Sequence, residues 1–298
     1  MSRILITGAS GLLGTRLTQL LLERGHHVSH LGRSKRPGSI PSFTWDVEAG
    51  TIDESALKDI DAVIHLAGAG IADERWSEKR KKEILESRTK STALLVRELN
   101  KGNNAVSVLV SGSAIGYYGM TLDDTLFTEQ SRPGTDFMAD VVTAWEHEAD
   151  QLKGKRLVKI RTGVVLSKND GALKEIARPV RFGFGAPLGT GEQYVSWIHI
   201  DDICRMFIES VEDGSMQGAY NGVTDAVTNR DLTKAIAKTL RKPIWLPAVP
   251  AFALRLFLGE MSYLVLYGSN VSSAKIRETG FTFRFDNLND ALNDLLKA

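Results

Sequence analysis

The stretch "RILITGASGLLG" (3–14) constrains the fold more than any other part of the chain. A strand-like apolar run ends at Thr7, and Gly8, Gly11 and Gly14 follow in a GxxGxxG pattern just where helical periodicity begins. Leu13, Leu17, Leu20 and Leu21 recur on one helical face, and Gly25 stands where a C′ glycine belongs. Gly8 suits a tight turn, Gly11 lets backbone amides approach a pyrophosphate, and Gly14 permits close helix–strand packing. The backbone of Ser10, Gly11, Leu12, Leu13 and Gly14 then forms a helix N-terminus open to an anion. The pattern points to a dinucleotide site; a glycine-rich turn without a ligand is the alternative.

The rest of the first half repeats the strand–helix alternation. "HVSHL" (27–31), "SFTW" (42–45), "DAVIHLAG" (61–68), "AVSVLVSGS" (105–113) and "RLVKIRT" (156–162) read as strands, with helices over about 76–101 and 136–152. Such alternation predicts an α/β chain with a parallel sheet covered on both faces. The second half is less regular. "RFGFGAPLGTGEQ" (181–193) interrupts it, "VSWIHIDDICRMFIES" (195–210) has strand-then-helix character, and a helix is expected near 229–240. "GFTFRF" (280–285) alternates like an edge strand. "PAVPAFALRLFLGEMSYLVLYG" (247–268) reads as a core helix of a smaller unit, with a lid, a pocket wall or a homodimer face as alternatives. We expect a first domain over 1–168, to which 195–225 returns, and a second over 169–298. Asp201 is the expected N-cap of the "HIDD" helix.

The residues after the second strand choose the cofactor. An NAD site usually places Asp or Glu there, about 20 residues beyond the glycines, on the ribose 2′-OH. No acidic residue occurs between Glu23 and Asp46; Arg33, Ser34, Lys35 and Arg36 stand there instead. Arg33 and Ser34 suit a 2′-phosphate, so NADP(H) is favoured over NAD. Asp46, after the third strand, is placed to reach the adenine amino group. Ala67 and Gly68 leave room for cofactor over their backbone, while His65 reads as a packed strand residue.

Composition narrows the partners. A formal charge of +1 argues against nucleic acid or an anionic membrane. Cys204 is the only cysteine, so no intramolecular disulfide forms and a reducing compartment fits. No basic-then-apolar leader opens the chain and no apolar run approaches about 18 residues, so the cytoplasm is the expected location. Six scattered histidines show no metal-ligand spacing.

Later stretches carry a family likeness. "VIHLAGAGI", "RW" (75–76), "SR" (87–88), "SAIGYYG" (113–119), "AWE" (144–146), "RTGVVLS" (161–167) and "APLGTGEQYVSWIHIDD" (186–202), with the glycine loop and "PAFALRLFLGE", resemble the atypical extended short-chain dehydrogenase/reductases of the NAD-dependent epimerase/dehydratase family. The resemblance implies a Rossmann-type doubly wound parallel sheet of seven strands with a smaller C-terminal α+β substrate domain. It implies NADP(H), with Arg88 approaching the cofactor and Val164 near its nicotinamide end. It also implies a small polar or nucleotide-sugar substrate lined by 181–197.

The wider family acts through a Ser, a Tyr and a Lys, the last two as YxxxK on the helix after the fifth strand. Ser113 matches the Ser. The YxxxK is missing: no tyrosine lies between Tyr118 and Tyr194, and "DFMADVVTAWEHEADQL" places Asp140 and Ala144 roughly where Tyr and Lys belong. Three readings stay open. Tyr117, Tyr118 or His199 transfers the proton; hydride transfer needs only solvent protons; or the protein binds NADP(H) as a sensor or scaffold. Trp145 and Glu146 either point into the cleft or pack in the core.

Overall fold

The first strand, β1 (Arg3–Thr7), is buried on both faces, and its side chains divide between them. Ile4 and Ile6 join Leu17 and Leu21 of α1 (Leu12–Glu23) and Phe207 of α5 (Ile200–Glu212). Leu5 joins Leu95 and Leu99 of α2 (Glu78–Asn100) on the other face. A continuous apolar run is what a strand needs when helices cover both sides. The computed structural model describes residues 1–168 and 170–297. The expected domain boundary at Asn169, and the terminal Ala298, lie outside the described residues.

The other strands of its sheet are β2 (His27–Gly32), β3 (Ser42–Asp46), β4 (Thr51–Ile52), β5 (Ala62–His65), β6 (Val108–Ala114), β7 (Arg156–Thr162) and β8 (Gly218–Gly222). They form an 8-stranded sheet in the order β8-β7-β6-β5-β1-β2-β3-β4. Seven strands run parallel, as expected, and β4 adds an antiparallel edge by folding back on β3 with Asp46 opposite Thr51. Helix α3 (Phe137–Ala149) packs beside α2. The chain winds outward from β1 through β2 and β3, then crosses back to β5 and winds the other way. The sheet is thus doubly wound, with its switch point between β1 and β5.

C-terminal elements build a second core. Leu173 and Val180 of α4 (Ala172–Arg181), Leu232 and Ile236 of α6 (Asn229–Thr239), and Leu292 and Leu295 of the helix Leu288–Lys297 pack around Trp197. Among the described residues no helix is long and apolar enough to cross a membrane.

Three expectations fail here. "GFTFRF" is not a strand: Phe281 and Phe285 do point inward, but the Asp202 carboxylate, not a neighbouring strand, accepts from the Arg284 and Phe285 amides (2.8 Å each). Asp201 does not cap α5; His199 does, its Nδ1 accepting from the Asp201 amide (3.1 Å), while Asp201 pairs with Arg16 at 2.7 Å. Helix α7 (Ala251–Leu258) is not a core helix, for it has no buried residue and leaves Phe252, Leu256 and Phe257 each more than 70% exposed.

Candidate functional site

Two strand ends meet at the switch point. β1 delivers the glycine loop and β5 delivers Leu66, Ala67 and Gly68, with Thr7 opposite His65 in register. The approach is too close for side chains: a Cβ on Gly8 would stand 2.7 Å from the Leu66 carbonyl carbon, and one on Gly14 2.6 Å from Ala9 Cα. Gly8 also has φ +68°, a left-handed conformation open to glycine. Thr7 Oγ1 accepts from the Leu66 and Ala67 amides (3.1 and 3.2 Å) and bonds His65 Nδ1 (2.7 Å). His65 Nε2 meets Thr92 Oγ1 at 2.9 Å. Full burial pushes the imidazole down to about 4, so His65 is a neutral strut, as its strand position implied.

A cavity of about 260 Å³ opens there, lined among others by Gly8, Gly11, Leu12, Leu13 and Gly14. Gly11 is the N-cap of helix α1, which has no side-chain cap and no acidic residue in its first turn. Its leading amides and positive dipole end are therefore available to an anion. Arg88 lines the same cavity at 8% exposure. Its Nη1 donates to the Ile84 carbonyl (3.0 Å), and among the described residues it has no carboxylate partner. Burial, with Arg80 nearby, pushes it down to about 10, so it is still a cation at neutral pH. Its stem presses on Gly68, where a Cβ would lie 3.2 Å from Arg88 Cγ, and its guanidinium lies 5.5 Å from the Trp145 ring centre. A buried cation without a counter-ion beside uncapped amides is a fit for a dinucleotide's phosphates.

Helix α3 supplies the opposite wall, and its phase differs from the expected one. Asp140 is exposed and Ala144 half-buried; the residues lining the cavity are Met138, Val141, Val142 and Trp145. One-turn pairs such as Val141 and Trp145 occupy the face where a Tyr and a Lys would act. The indole rests near Gly112, where a Cβ would meet it at 3.3 Å.

Ser113, at the end of β6, lines the cavity and donates to Glu146 Oε1 at 2.6 Å. Glu146 is buried and held by Arg161 through two bonds, 2.8 Å from Nε and 2.9 Å from Nη2, with Lys159 Nζ at 3.3 Å. Burial alone would raise the Glu146 carboxyl, but Arg161, Lys159 and Ser113 outweigh it and hold it below the usual carboxylate range. Burial would likewise lower Arg161, and its bonds to Glu146 raise it instead. Arg161 Nη1 donates to the Tyr118 hydroxyl (3.0 Å), which donates to Asn221 Oδ1 (2.7 Å). Tyr118 therefore serves this buried network and does not line the cavity; burial pushes its phenol up to about 12. Tyr117 covers the Arg161 guanidinium at 3.4 Å. The chain's own signal for this network is unlike charges inside buried elements: Arg161 on an apolar strand and Glu146 one residue after Trp145. The pairing across α3 and β7 is not readable from either stretch alone.

The other expected residues, Ala67 and Gly68 among them, do not line the cavity. Ser10 is exposed on the loop, and Arg33 and Ser34 are exposed just after β2. Leu31 pairs with Thr7, so both emerge at the end of the sheet that carries the glycine loop. Asp46 Oδ1 accepts from the Ala49 amide (2.9 Å), which serves the β3–β4 turn. Val164 sits next to Thr162 and Gly163 beyond β7, with its amide donated to the Ser196 carbonyl (2.8 Å). The 181–197 segment lines neither this cavity nor a second, larger one beside it. It backs the latter's wall, Gln193 Nε2 donating to the Val265 carbonyl (2.6 Å). Among the described residues no group of three or more His, Cys, Asp or Glu is placed to hold a metal.

Comparison with known proteins agrees with this geometry. The model of the NAD dependent epimerase/dehydratase family matches residues 4–221, and a domain of unknown function (DUF1731) matches 249–295. The chain is 34% identical to the mouse epimerase family protein SDR39U1 over 300 residues, covering 99% of each. It is 36% identical to Bacillus subtilis epimerase family protein YfhF, covering 98% of this chain and 97% of that protein. The crystal structure of human SDR39U1 (isoform 2) with NADPH superposes with a TM-score of 0.91 at 33% identity, covering 99% of both chains. Thermus thermophilus UDP-glucose 4-epimerase, solved with NAD, shares the fold at a TM-score of 0.77 and 21% identity, covering 99% of this chain and 98% of that one. The chain belongs to the NAD dependent epimerase/dehydratase family.

Proposed function

We propose that this chain binds NADP(H) at the switch point and is an oxidoreductase or epimerase-like enzyme acting on a small molecule in the cytoplasm. The observation that carries the reading is Arg88: a buried cation, without a carboxylate partner, on the wall of the glycine-loop cavity. The NADPH in the human relative's structure supports the cofactor. Residues 1–168 with 195–225 form the cofactor domain in this reading, and the rest of the C-terminal half forms the substrate side. Arg33 and Ser34 hold the 2′-phosphate, and the amides of α1 with Arg88 hold the pyrophosphate.

When bound, the nicotinamide supplies hydride exchange at its C4. The protein's part is to orient the substrate and move one proton. Ser113 gives its hydrogen to Glu146, which leaves its oxygen free to accept from a substrate hydroxyl. As the substrate hydroxyl's proton moves to Ser113 Oγ, the serine's own proton passes to Glu146, and the charge of Arg161 keeps the carboxylate ionised until then. The apolar face of α3 excludes water from the same space. That face also favours a second reading, in which NADP(H) is bound without turnover.

Calorimetric titration tests the cofactor. NADPH binds at least tenfold more tightly than NADH, and Arg33→Ala removes most of that preference. Equal affinities, or an unchanged preference in the variant, would refute the 2′-phosphate assignment. A broad substrate screen with NADP+ that yields no reduction, while binding is intact, favours the second reading.

A further inference from the structure

The second cavity, of about 600 Å³, shares a wall with the first. Phe137 lines it while Met138 lines the first, and the Trp76 indole, on its wall, donates to the carbonyl of Ile71, which lines the first (2.9 Å). The lining is rich in rings. Trp76 and Phe137 meet edge to face at 5.2 Å, and Tyr263 and Tyr267 lie tilted at 4.5 Å.

Its charges are unequal in what they leave free. Asp136 caps α3, accepting from the Ala139 amide (3.0 Å) and, with its other oxygen, from the Met120 amide (2.9 Å). Glu260 is ion-paired with Lys81. The Arg255 side chain has no hydrogen bond or ion pair among the described residues. Ser262 gives its hydroxyl hydrogen to the Gly259 carbonyl (2.6 Å). Tyr263 donates its hydroxyl to the Met120 carbonyl (3.3 Å), and Lys81 Nζ lies 5.6 Å from the Phe137 ring centre. What remains uncommitted for a ligand among the described residues is a set of ring faces, the Tyr267 hydroxyl and the Arg255 guanidinium, beside two carboxylates that already have partners.

We infer that this cavity is the substrate chamber and takes a planar aromatic molecule bearing a carboxylate or similar anion. The inference rests on the cofactor reading for its place in a reaction, but not for the binding itself. Ring faces reward a flat π-system, and an uncommitted guanidinium pairs with a carboxylate. A nucleotide-sugar is the poorer match. Its two phosphates and several hydroxyls need more cations and free polar groups than this lining leaves, and each one buried without a partner weakens binding.

The test is calorimetry on the full chain, with and without saturating NADP+, using 2-naphthoate, its neutral counterpart 2-naphthalenemethanol, and UDP-glucose. NADP+ is titrated first, so a failure of the cofactor reading shows independently of the arene. Naphthoate binds saturably and at least fivefold more tightly than the alcohol, and UDP-glucose does not displace it. Arg255→Gln weakens naphthoate about five- to tenfold, the loss of one charge-assisted bond at a half-open site, and leaves the alcohol within about twofold. Trp76→Phe, which removes one of the larger ring faces, weakens naphthoate and the alcohol alike by about two- to fivefold and loses the accompanying indole fluorescence quench. The inference is overturned if naphthoate shows no saturable binding, if acid and alcohol bind equally to the parent chain, if UDP-glucose displaces naphthoate, or if either variant behaves as the parent does.

Discussion

A buried imidazole resists protonation, and His65 has both ring nitrogens occupied inside the sheet. Its ordinary value is 6.5 and its folded value about 4. Above the first, both folded and unfolded chains carry it neutral. Between the two, the unfolded chain takes up a proton that the folded one refuses, so stability falls as pH falls. The gap corresponds to about 3 kcal/mol. His65→Gln, which can still bond Thr7 and Thr92, flattens the acid limb of stability by up to that amount in urea unfolding from pH 7 to 4; an unaltered limb would exclude this role. Arg88 gives the opposite kind of contrast. Arg88→Met keeps the volume and removes a buried cation that has no carboxylate partner, so unfolding free energy holds or rises. NADPH affinity falls about tenfold or more, because a bound phosphate loses its charge-assisted bond. A stability loss with unchanged affinity would make Arg88 a packing residue. His65 was legible as a strut from its place in an apolar strand. The solitude of Arg88 was not, since "ESRTK" surrounds it with charges that the helix turns elsewhere.

At the scale of elements, α3 and β7 are tied by Glu146 and Arg161, fifteen residues apart. Arg161→Met leaves a buried carboxylate with only Ser113 and Lys159, and costs about 3–5 kcal/mol. Adding Glu146→Leu removes the orphaned charge and recovers a large part of that loss, as a double-mutant cycle by urea unfolding will show. A second substitution that adds its own full cost would mean the two residues do not act as a pair. Helix α3 also shows the limit of aligning a motif that is absent. Neighbouring helical residues point about 100° apart, so placing the missing pair at Asp140 and Ala144 put an exposed and a half-buried residue where Val141 and Trp145 stand. The existence of the helix was clear from "MADVVTAWEHEA"; its phase is decided by packing against α2 and β6.

At the scale of the whole molecule, a ligand that binds only the folded chain adds stability by mass action. NADPH at about a hundredfold excess over its Kd adds about 2.7 kcal/mol, seen as a rise of several degrees in Tm, and NADH at the same concentration adds less. Equal shifts would contradict the reading of Arg33 and Ser34. While β4 and β8 were not legible in it, the sequence by itself determined six of the sheet's eight strands, the glycine loop and the basic turn after β2. These depend on local stereochemistry: a glycine at positive φ, a period of two or 3.6, and charges a few residues from a strand end. The tertiary structure alone decided that Glu146 meets Arg161, that α7 has no buried residue, that Asp202 takes the backbone of 284–285, and that a second, ring-lined cavity stands beside the glycine-loop cavity. Each of those joins groups distant in the chain or depends on which face of an element is left uncovered, and close packing in three dimensions, not local periodicity, sets both.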